Sequence, residues 1–282
     1  MITVDNAVIM AAGTASRFAP LSYERPKALI EVRGEVLIER QIRQLRAAGI
    51  RDIYVVTGYR AADFNYLQER FGVILRHNAD YNTRNNQASI HAVRDILKNS
   101  YVCSADNYFL QNPFAAKEEA AYYAAVYADG ETKEWCLTMD ETDRICGVQI
   151  GGRAAWYMLG HTFWDESFSR RFIEILEAEY ALPETADKLW EEIYTAHLDE
   201  LAMKIRRYEE DFIFEFDTLD ELRTFDHTYI DDTRSAVLKE IAAAHGVTEG
   251  RIIDIRTIKG GGNEAIGCSY EIDGRRETYF YA

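Results

Sequence analysis

The sequence predicts an α/β fold: a mostly parallel, mixed central sheet covered by helices on both faces, with a small α+β appendage at the C-terminus. Apolar runs of strand length at residues 7–10, 52–57 and 72–76 alternate with helical stretches. Such β-α-β-α-β alternation lays strands side by side in parallel. The run DIYVVT at 52–57 has the unbroken apolar character of a strand buried on both faces. After Phe225 the composition shifts to a polar, tyrosine-containing connector at 226–232, then to one helix and short strands. At 282 residues the chain can hold one large α/β domain plus an appendage. The expected boundaries are 1–225 and 226–282.

The elements follow in order. Residues 7–10 (AVIM) form a buried strand that breaks into a loop of small and hydroxylated residues at 11–16, and 28–32 reads as a short strand. Leu37, Ile38, Gln41, Ile42 and Leu45 keep a helical stripe that Gly49 stops. Residues 61–71 read as a helix, 90–98 as a helix behind the asparagine-rich stretch 78–89, and 101–105 as a strand ending on Asp106-Asn107. Strands are expected at 122–127, 135–139, 145–150 and 156–159, separated by turns at Asp140-Glu141 and Gly151-Gly152. Helices follow at 166–180 and 187–198, strands at 204–208 and 212–216, and a helix at 219–225. The tail reads as a helix at 235–245 stopped by Gly246, a strand at 252–258, a glycine-rich loop at 260–263, a strand at 266–272, a tight turn at Asp273-Gly274 and a strand at 278–281.

The bulk numbers exclude some partners. A net charge of −15 argues against nucleic acid and anionic membrane surfaces, both of which need a basic face. No apolar run reaches membrane-spanning length, so no membrane insertion is expected. The four cysteines are scattered without paired spacing, which suggests neither a zinc site nor a disulfide framework. Met1 leads into Asp5 and a strand rather than a basic stretch and an apolar run, so a cytoplasmic setting is expected.

The chemistry is concentrated near the start. A strand that runs into a small-residue loop leaves backbone N–H groups unpaired and uncrowded, and a row of such donors binds polyphosphate. Arg17 and Lys27 supply two cations. No Gly-Lys-Ser/Thr follows, so the loop is not a P-loop. Ala15 and Phe18 stand where a dinucleotide fingerprint needs glycines. Asp106 and Asp217 each end a strand, and hard oxygen ligands of that kind suit a Mg²⁺ that bridges phosphates. Asn85, Asn86 and Ser89 carry two readings, helix capping or recognition of base and ribose. Trp135 after Glu134, and Trp190 before Glu191, set aromatic faces beside carboxylates, a combination that suits a quaternary ammonium. Glu215 alternates with Asp217 and suits a metal or a cationic substrate end.

These motifs resemble, in order, a known family. Ala11-Ala12-Gly13-Thr14-Ala15-Ser16-Arg17 with Pro26-Lys27, Asn85-Asn86 within 81–89, Ser104-Ala105-Asp106-Asn107-Tyr108, Glu134-Trp135 and Glu215-Phe216-Asp217 are similar to the nucleotidyltransferases that couple NTPs to sugar phosphates or small phosphorylated alcohols. The resemblance covers residues 1 to 225 and is nearest the bacterial CTP:phosphocholine cytidylyltransferases. Ala15 replaces a usual glycine, and Leu189 stands where a tyrosine of the choline pocket is expected.

The resemblance implies a Rossmann-like three-layer α/β/α fold and transfer of CMP from CTP to phosphocholine, with Mg²⁺ on Asp106 and Asp217. It also implies catalytic Lys27 and Arg17, a nucleotide site of Ala12, Gly13, Thr14, Ala15, Ser16, Arg17, Asn85, Asn86, Ser89 and Ala105, and a substrate site of Trp135, Trp190, Glu191 and Glu215. Phosphoethanolamine, 2-aminoethylphosphonate or a sugar-1-phosphate are alternative acceptors, and a non-catalytic nucleotide-binding regulatory module is the alternative of another class. A homodimer is left open. The tail at 258–263 resembles the glycine-rich start of choline-kinase-like phosphotransferases, but the chain stops before any catalytic loop.

Overall fold

A computed structural model describes residues 1–261 and 265–281. The expected glycine-rich loop lies partly outside the described residues, at Gly262 and Asn263. The chain divides into two units: Met1–Gly13 with Ile38–Glu215, and Thr14–Leu37 with the chain from Phe216 onward. Among the described residues no helix is long and apolar enough to cross a membrane.

The first unit is built on a seven-stranded sheet. Its strands are β1 (Asn6–Ala11), β2 (Ile53–Thr57), β3 (Ile74–His77), β4 (Ser100–Ser104), β5 (Tyr122–Met139), β6 (Ile145–Trp164) and β7 (Lys204–Tyr208). The order is β7-β5-β6-β4-β1-β2-β3. Every neighbouring pair is parallel except the two made by β6, so the sheet is mixed and mostly parallel. Helices α1 (Leu37–Ala47), α2 (Tyr66–Phe71), α3 (Gln87–His91), α4 (Glu166–Tyr180) and α5 (Trp190–Ala196) accompany it. In register, Ala7 pairs Ile53, Val8 pairs Tyr54, and Ile9 pairs Val55 on one side and Cys103 on the other. Val8, Ile9, Val55 and Cys103 are fully buried, which is why these strands read as unbroken apolar runs.

The strands expected at 122–127 and 135–139 are one strand, β5, and those at 145–150 and 156–159 are one strand, β6. The expected turn at Gly151-Gly152 is instead part of β6, which pairs irregularly with β5 through repeated register shifts. Bulges let a long hairpin bend without ending, and a linear reading takes each bend for a turn. The helix expected at 90–98 is shorter and earlier, Gln87–His91.

In the second unit, residues 28–32 are not one strand. Lys27–Leu29 is a 3₁₀ turn and only Glu31–Val32 is extended, paired with Glu35–Val36 across Arg33 and Gly34, both at positive φ. Helix α6 (Leu219–Phe225) starts on a capping box of Thr218 and Glu221. Helix α7 (Ala236–His245) is capped by Ser235 and stopped by Gly246 at φ 64°. Strands β8 (Ile253–Lys259), β9 (Ala265–Ile272) and β10 (Arg275–Phe280) form an antiparallel sheet. β9 and β10 turn on Asp273-Gly274, both with φ above zero as a two-residue hairpin requires.

Arg223 ties α6 to this tail. It is 8% exposed. Its guanidinium donates to the carbonyls of Ile252 at 2.7 Å, Glu249 at 2.8 Å and Tyr229 at 3.3 Å, and to Asp220 at 3.1 Å. Removing it strands three carbonyls, each worth about 1–3 kcal/mol when buried and unsatisfied. Arg223→Leu is expected to destabilise the chain by about 3 kcal/mol, read as a lowered urea midpoint. A midpoint within error of the parent would rule out this clamp.

Candidate functional site

The loop after β1 begins in the first unit. Ala12 is 4% exposed and its carbonyl accepts from the Tyr59 amide at 3.0 Å. A Cβ on Gly58 would lie 2.9 Å from that carbonyl and 2.5 Å from the Tyr81 Cβ, so only glycine admits this approach, a requirement not read from the sequence. Gly13 is exposed, and a Cβ there would meet nothing within 4 Å among the described residues. The space over Gly13 is open.

The loop continues in the second unit. Ala15 takes the left-handed conformation at φ 46°, ψ 43°. Only glycine adopts it freely, and an L-residue there costs roughly 1–2 kcal/mol. Residues Ser16–Phe18 form one 3₁₀ turn closed by Phe18 N–H on the Ala15 carbonyl at 2.9 Å. Among the described residues, the backbone N–H groups of Thr14, Ala15, Ser16 and Arg17 donate to no acceptor. These are the free donors that an anion needs.

Arg17 is exposed and its guanidinium meets the Asp217 carboxylate at 2.7 Å. Lys27 is 7% exposed, with its ammonium 3.9 Å from the other oxygen of Asp217 and 5.8 Å from the Phe18 ring centre. Asp217 is half-buried just before the Thr218 cap, and its own backbone N–H donates to Glu221 at 2.6 Å. The cap belongs to Thr218, so the Asp217 carboxylate serves the two cations.

In the first unit, Asp106 lies two residues beyond β4 and is half-buried. Its flanks are fixed. Ala105 N–H donates to the Met10 carbonyl at 3.1 Å. The buried amide of Gln41 donates to the carbonyls of Ser104 and Asn107, both at 2.8 Å. Gln41 belongs to the buried stripe of α1, and its place there serves to bracket Asp106. A lone polar residue in an apolar stripe was the signal for this role.

Asn85, Asn86 and Ser89 are engaged within the protein. The Asn85 amide donates to the Asp187 carbonyl at 2.9 Å. Asn86 donates to Glu191 Oε2 at 3.0 Å and accepts from the Trp190 backbone N–H at 2.8 Å. Gln87 donates to the carbonyls of Lys188 and Thr185. The stretch therefore clips the start of α5 into place. Ser89 is buried inside α3, not at its cap, and accepts from Asn78 at 3.3 Å.

Glu191 is half-buried and accepts from both Asn86 and the Tyr123 hydroxyl, the latter at 3.3 Å. Burial pushes its carboxyl up to about 7 against the pull of these hydrogen bonds. Trp190, 2% exposed, stacks on Tyr123 with ring centres 5.6 Å apart and meets Trp164 edge-on at 5.2 Å. Its ring is a core ring here. Trp135 is half-buried on β5, and Glu134 beside it is exposed. Glu215 is exposed and accepts from the Asn107 amide at 3.2 Å. Burial raises the hydroxyls of Tyr123 and Tyr157, with Glu191 adding to the first, Glu134 to the second and Glu215 to both. Tyr123 and Tyr157 thus join the acidic aromatic set, and no sequence motif pointed to either.

Asp106 and Asp217 each present a carboxylate. Among the described residues no three His, Cys, Asp or Glu side chains gather to hold a metal. Mg²⁺ is ordinarily held by one or two carboxylates, with waters and substrate phosphates completing its shell.

A MobA-like NTP transferase domain matches residues 7–179. Over 217 residues, 77% of this chain and 95% of the relative, the chain is 33% identical to the choline-phosphate cytidylyltransferase of Streptococcus pneumoniae. Over 229 residues, 80% of this chain and 93% of the relative, it is 33% identical to the 2-aminoethylphosphonate cytidylyltransferase of Lancefieldella rimae. The solved structure of the CTP:phosphocholine cytidylyltransferase of Streptococcus pneumoniae matches with a TM-score of 0.77 at 32% identity, over 80% of this chain and 99% of that one. The chain belongs to the MobA-like NTP transferase family and is a nucleotidyltransferase.

Proposed function

We propose that the chain transfers CMP from CTP to phosphocholine, giving CDP-choline and pyrophosphate. The observation that carries this is the buried ammonium of Lys27 at 3.9 Å from Asp217, beside a loop of unpaired N–H groups. A buried cation whose neighbouring Asp217 carboxylate is also held by Arg17 is placed to meet an incoming polyphosphate. The near full-length likeness to a choline-phosphate cytidylyltransferase supports the choice of base and acceptor.

In this reading an oxygen of the acceptor phosphate attacks the α-phosphorus of CTP, the α–β bridging bond breaks, and pyrophosphate leaves. No general base is required, because the acceptor phosphate is already ionised at neutral pH. The amides from Gly13 to Arg17 hold the β- and γ-phosphates and Arg17 neutralises them. Lys27 stabilises charge that builds on the α-phosphate, at a place where it is already fixed by burial. When the triphosphate takes the two cations, the Asp217 carboxylate is released; it and Asp106 are the residues that would hold Mg²⁺. Mg²⁺, when bound, withdraws charge from the phosphate oxygens. Trp135, Tyr157, Glu134 and Glu215 supply aromatic faces and negative charge for a quaternary ammonium.

A second reading, 2-aminoethylphosphonate as acceptor, is favoured by the equal identity to that cytidylyltransferase and by Leu189. A primary ammonium needs hydrogen-bond acceptors more than ring faces. A panel of NTP and acceptor pairs, read by pyrophosphate release, separates the two. Turnover with glucose-1-phosphate alone would overturn both.

Lys27→Ala is expected to lower kcat about 10²–10³-fold with an unchanged circular dichroism spectrum. A loss under tenfold would remove Lys27 from the chemistry.

Glu191 gives a pH signature. Its carboxyl titrates near 7 in the folded chain, above its ordinary value because it is buried, so it is neutral below that pH and anionic above it. Acceptor affinity for a cationic head group should therefore rise as pH passes upward through about 7. The sign for stability is opposite: a carboxyl raised on folding is most stabilising when protonated, and its contribution is lost between its unfolded value and about pH 7. Glu191→Gln should flatten both profiles, seen as acceptor KM and urea midpoint from pH 5 to 8.5. Parallel profiles in variant and parent would show that Glu191 is not the titrating group.

A further inference from the structure

The loop that carries Arg17 has little of its own to hold it. It contains an alanine in a left-handed conformation, and its amides are unpaired among the described residues. Such a segment samples many conformations, and a ligand that orders it loses affinity to the entropy of ordering. Yet the same compact unit contains both this loop and the C-terminal tail, and the tail grips the loop on either side of Arg17.

Three contacts do this. The Thr257 hydroxyl on β8 donates to the Ser16 carbonyl, one residue before Arg17. Glu24 Oε1 accepts from the backbone N–H groups of Ala236 at 2.7 Å and Val237 at 3.1 Å, the first residues of α7, and lies three residues before Lys27. Tyr23 stacks on Tyr281 with ring centres 3.9 Å apart and planes 18° from parallel. A carboxylate on the first amides of a helix is favourably placed for both hydrogen bonding and the helix dipole. The relatives are matched over 93–99% of their own length by 77–80% of this chain. The remaining fifth is the size of residues 226–282.

We infer that the C-terminal segment from Ser235 to Tyr281 is a positioning element for the nucleotide, bracing residues 14–27 through Thr257, Glu24 and Tyr281 so that Arg17 and Lys27 meet the triphosphate already in place. The inference rests on the proposed nucleotide role of that loop. The tail adds no chemistry of its own; it raises nucleotide affinity by removing an ordering cost from binding.

The test uses the full chain with Thr257→Val, Glu24→Ala and, as a control in the same tail, Arg251→Ala, which removes an exposed pair with Asp273 that includes none of the loop contacts. Amide exchange over residues 13–19 and the calorimetric Kd for CTP with Mg²⁺ are measured alongside the acceptor KM. Thr257→Val and Glu24→Ala are each expected to speed exchange and to weaken CTP binding roughly 3- to 10-fold, the worth of about one hydrogen bond. The acceptor KM should stay near that of the parent, and Tm should fall by no more than about 2–4 °C. Thr257→Ser should restore both readouts, and Arg251→Ala should move neither. Unchanged loop exchange in both variants overturns the brace. So does equal weakening of nucleotide and acceptor with a larger fall in Tm, which would mark general loosening. If the parent binds no nucleotide, the functional reading fails on its own, and loop exchange still decides whether the tail braces the loop.

Discussion

A buried ammonium has to be answered by negative charge, and the second unit is arranged around that requirement at Lys27. Burying a cation without a partner costs several kcal/mol, yet Lys27 is 7% exposed. Pro26 fixes the approach of the backbone, and the 3₁₀ turn Lys27–Leu29 aims the side chain inward while Ala28 and Leu29 fill the core. Asp217 supplies the answering carboxylate and divides it between Lys27 and Arg17. Asp217 can do so because Thr218, not Asp217, caps α6. Shared between two cations, the carboxylate gives its full charge to neither.

The first unit meets a comparable need with hydrogen bonds in place of charge. A carboxylate beyond the end of a strand would wander if its backbone were loose, and Gln41 prevents this by holding the carbonyls on both sides of Asp106. The asparagine stretch works the same way at α5: Asn85, Asn86 and Gln87 give their amides to residues 185–191. Amide side chains suit the task because each offers donor and acceptor without the desolvation penalty of a charge.

The sheet and its parallel core were legible because Val8, Ile9, Val55 and Cys103 are buried on both faces, and such strands must be apolar throughout. Gly13, Lys27, Asp106 and Asp217 stand out in the sequence because phosphate chemistry calls for small-residue loops, cations and carboxylates near strand ends. The continuous β5–β6 hairpin was not, since its bulges place Gly151 and Gly152 inside a strand, where sequence alone marks a turn. Trp190 was not legible as a packed ring for a different reason. An aromatic beside a carboxylate looks the same in a pocket and in a core, and only packing against Tyr123 and Trp164 tells them apart. The contribution of Tyr123 and Tyr157 comes from the long hairpin and could not precede it. The grip of Thr257 on Ser16 joins positions 241 residues apart, a distance over which no local pattern speaks.

Under the proposed reading, the carboxylate of Glu191 bears on the choice of acceptor. An ionised carboxylate offers about four acceptor sites, and Asn86 and Tyr123 fill two of them. A trimethylammonium has no N–H to donate and would use such a group only as charge, leaving its remaining lone pairs dry. Burial pushes this carboxyl up to about 7, so below that pH it offers little charge to a purely electrostatic partner. A primary ammonium can donate into the unfilled sites and recover part of the cost of ionising a buried acid. Glu215 and Glu134 are exposed, keep their water, and serve either head group equally well as charge. Under the proposed reading, discrimination between choline and a primary amine therefore rests on the burial of Glu191 and not on the number of acids around the aromatic rings.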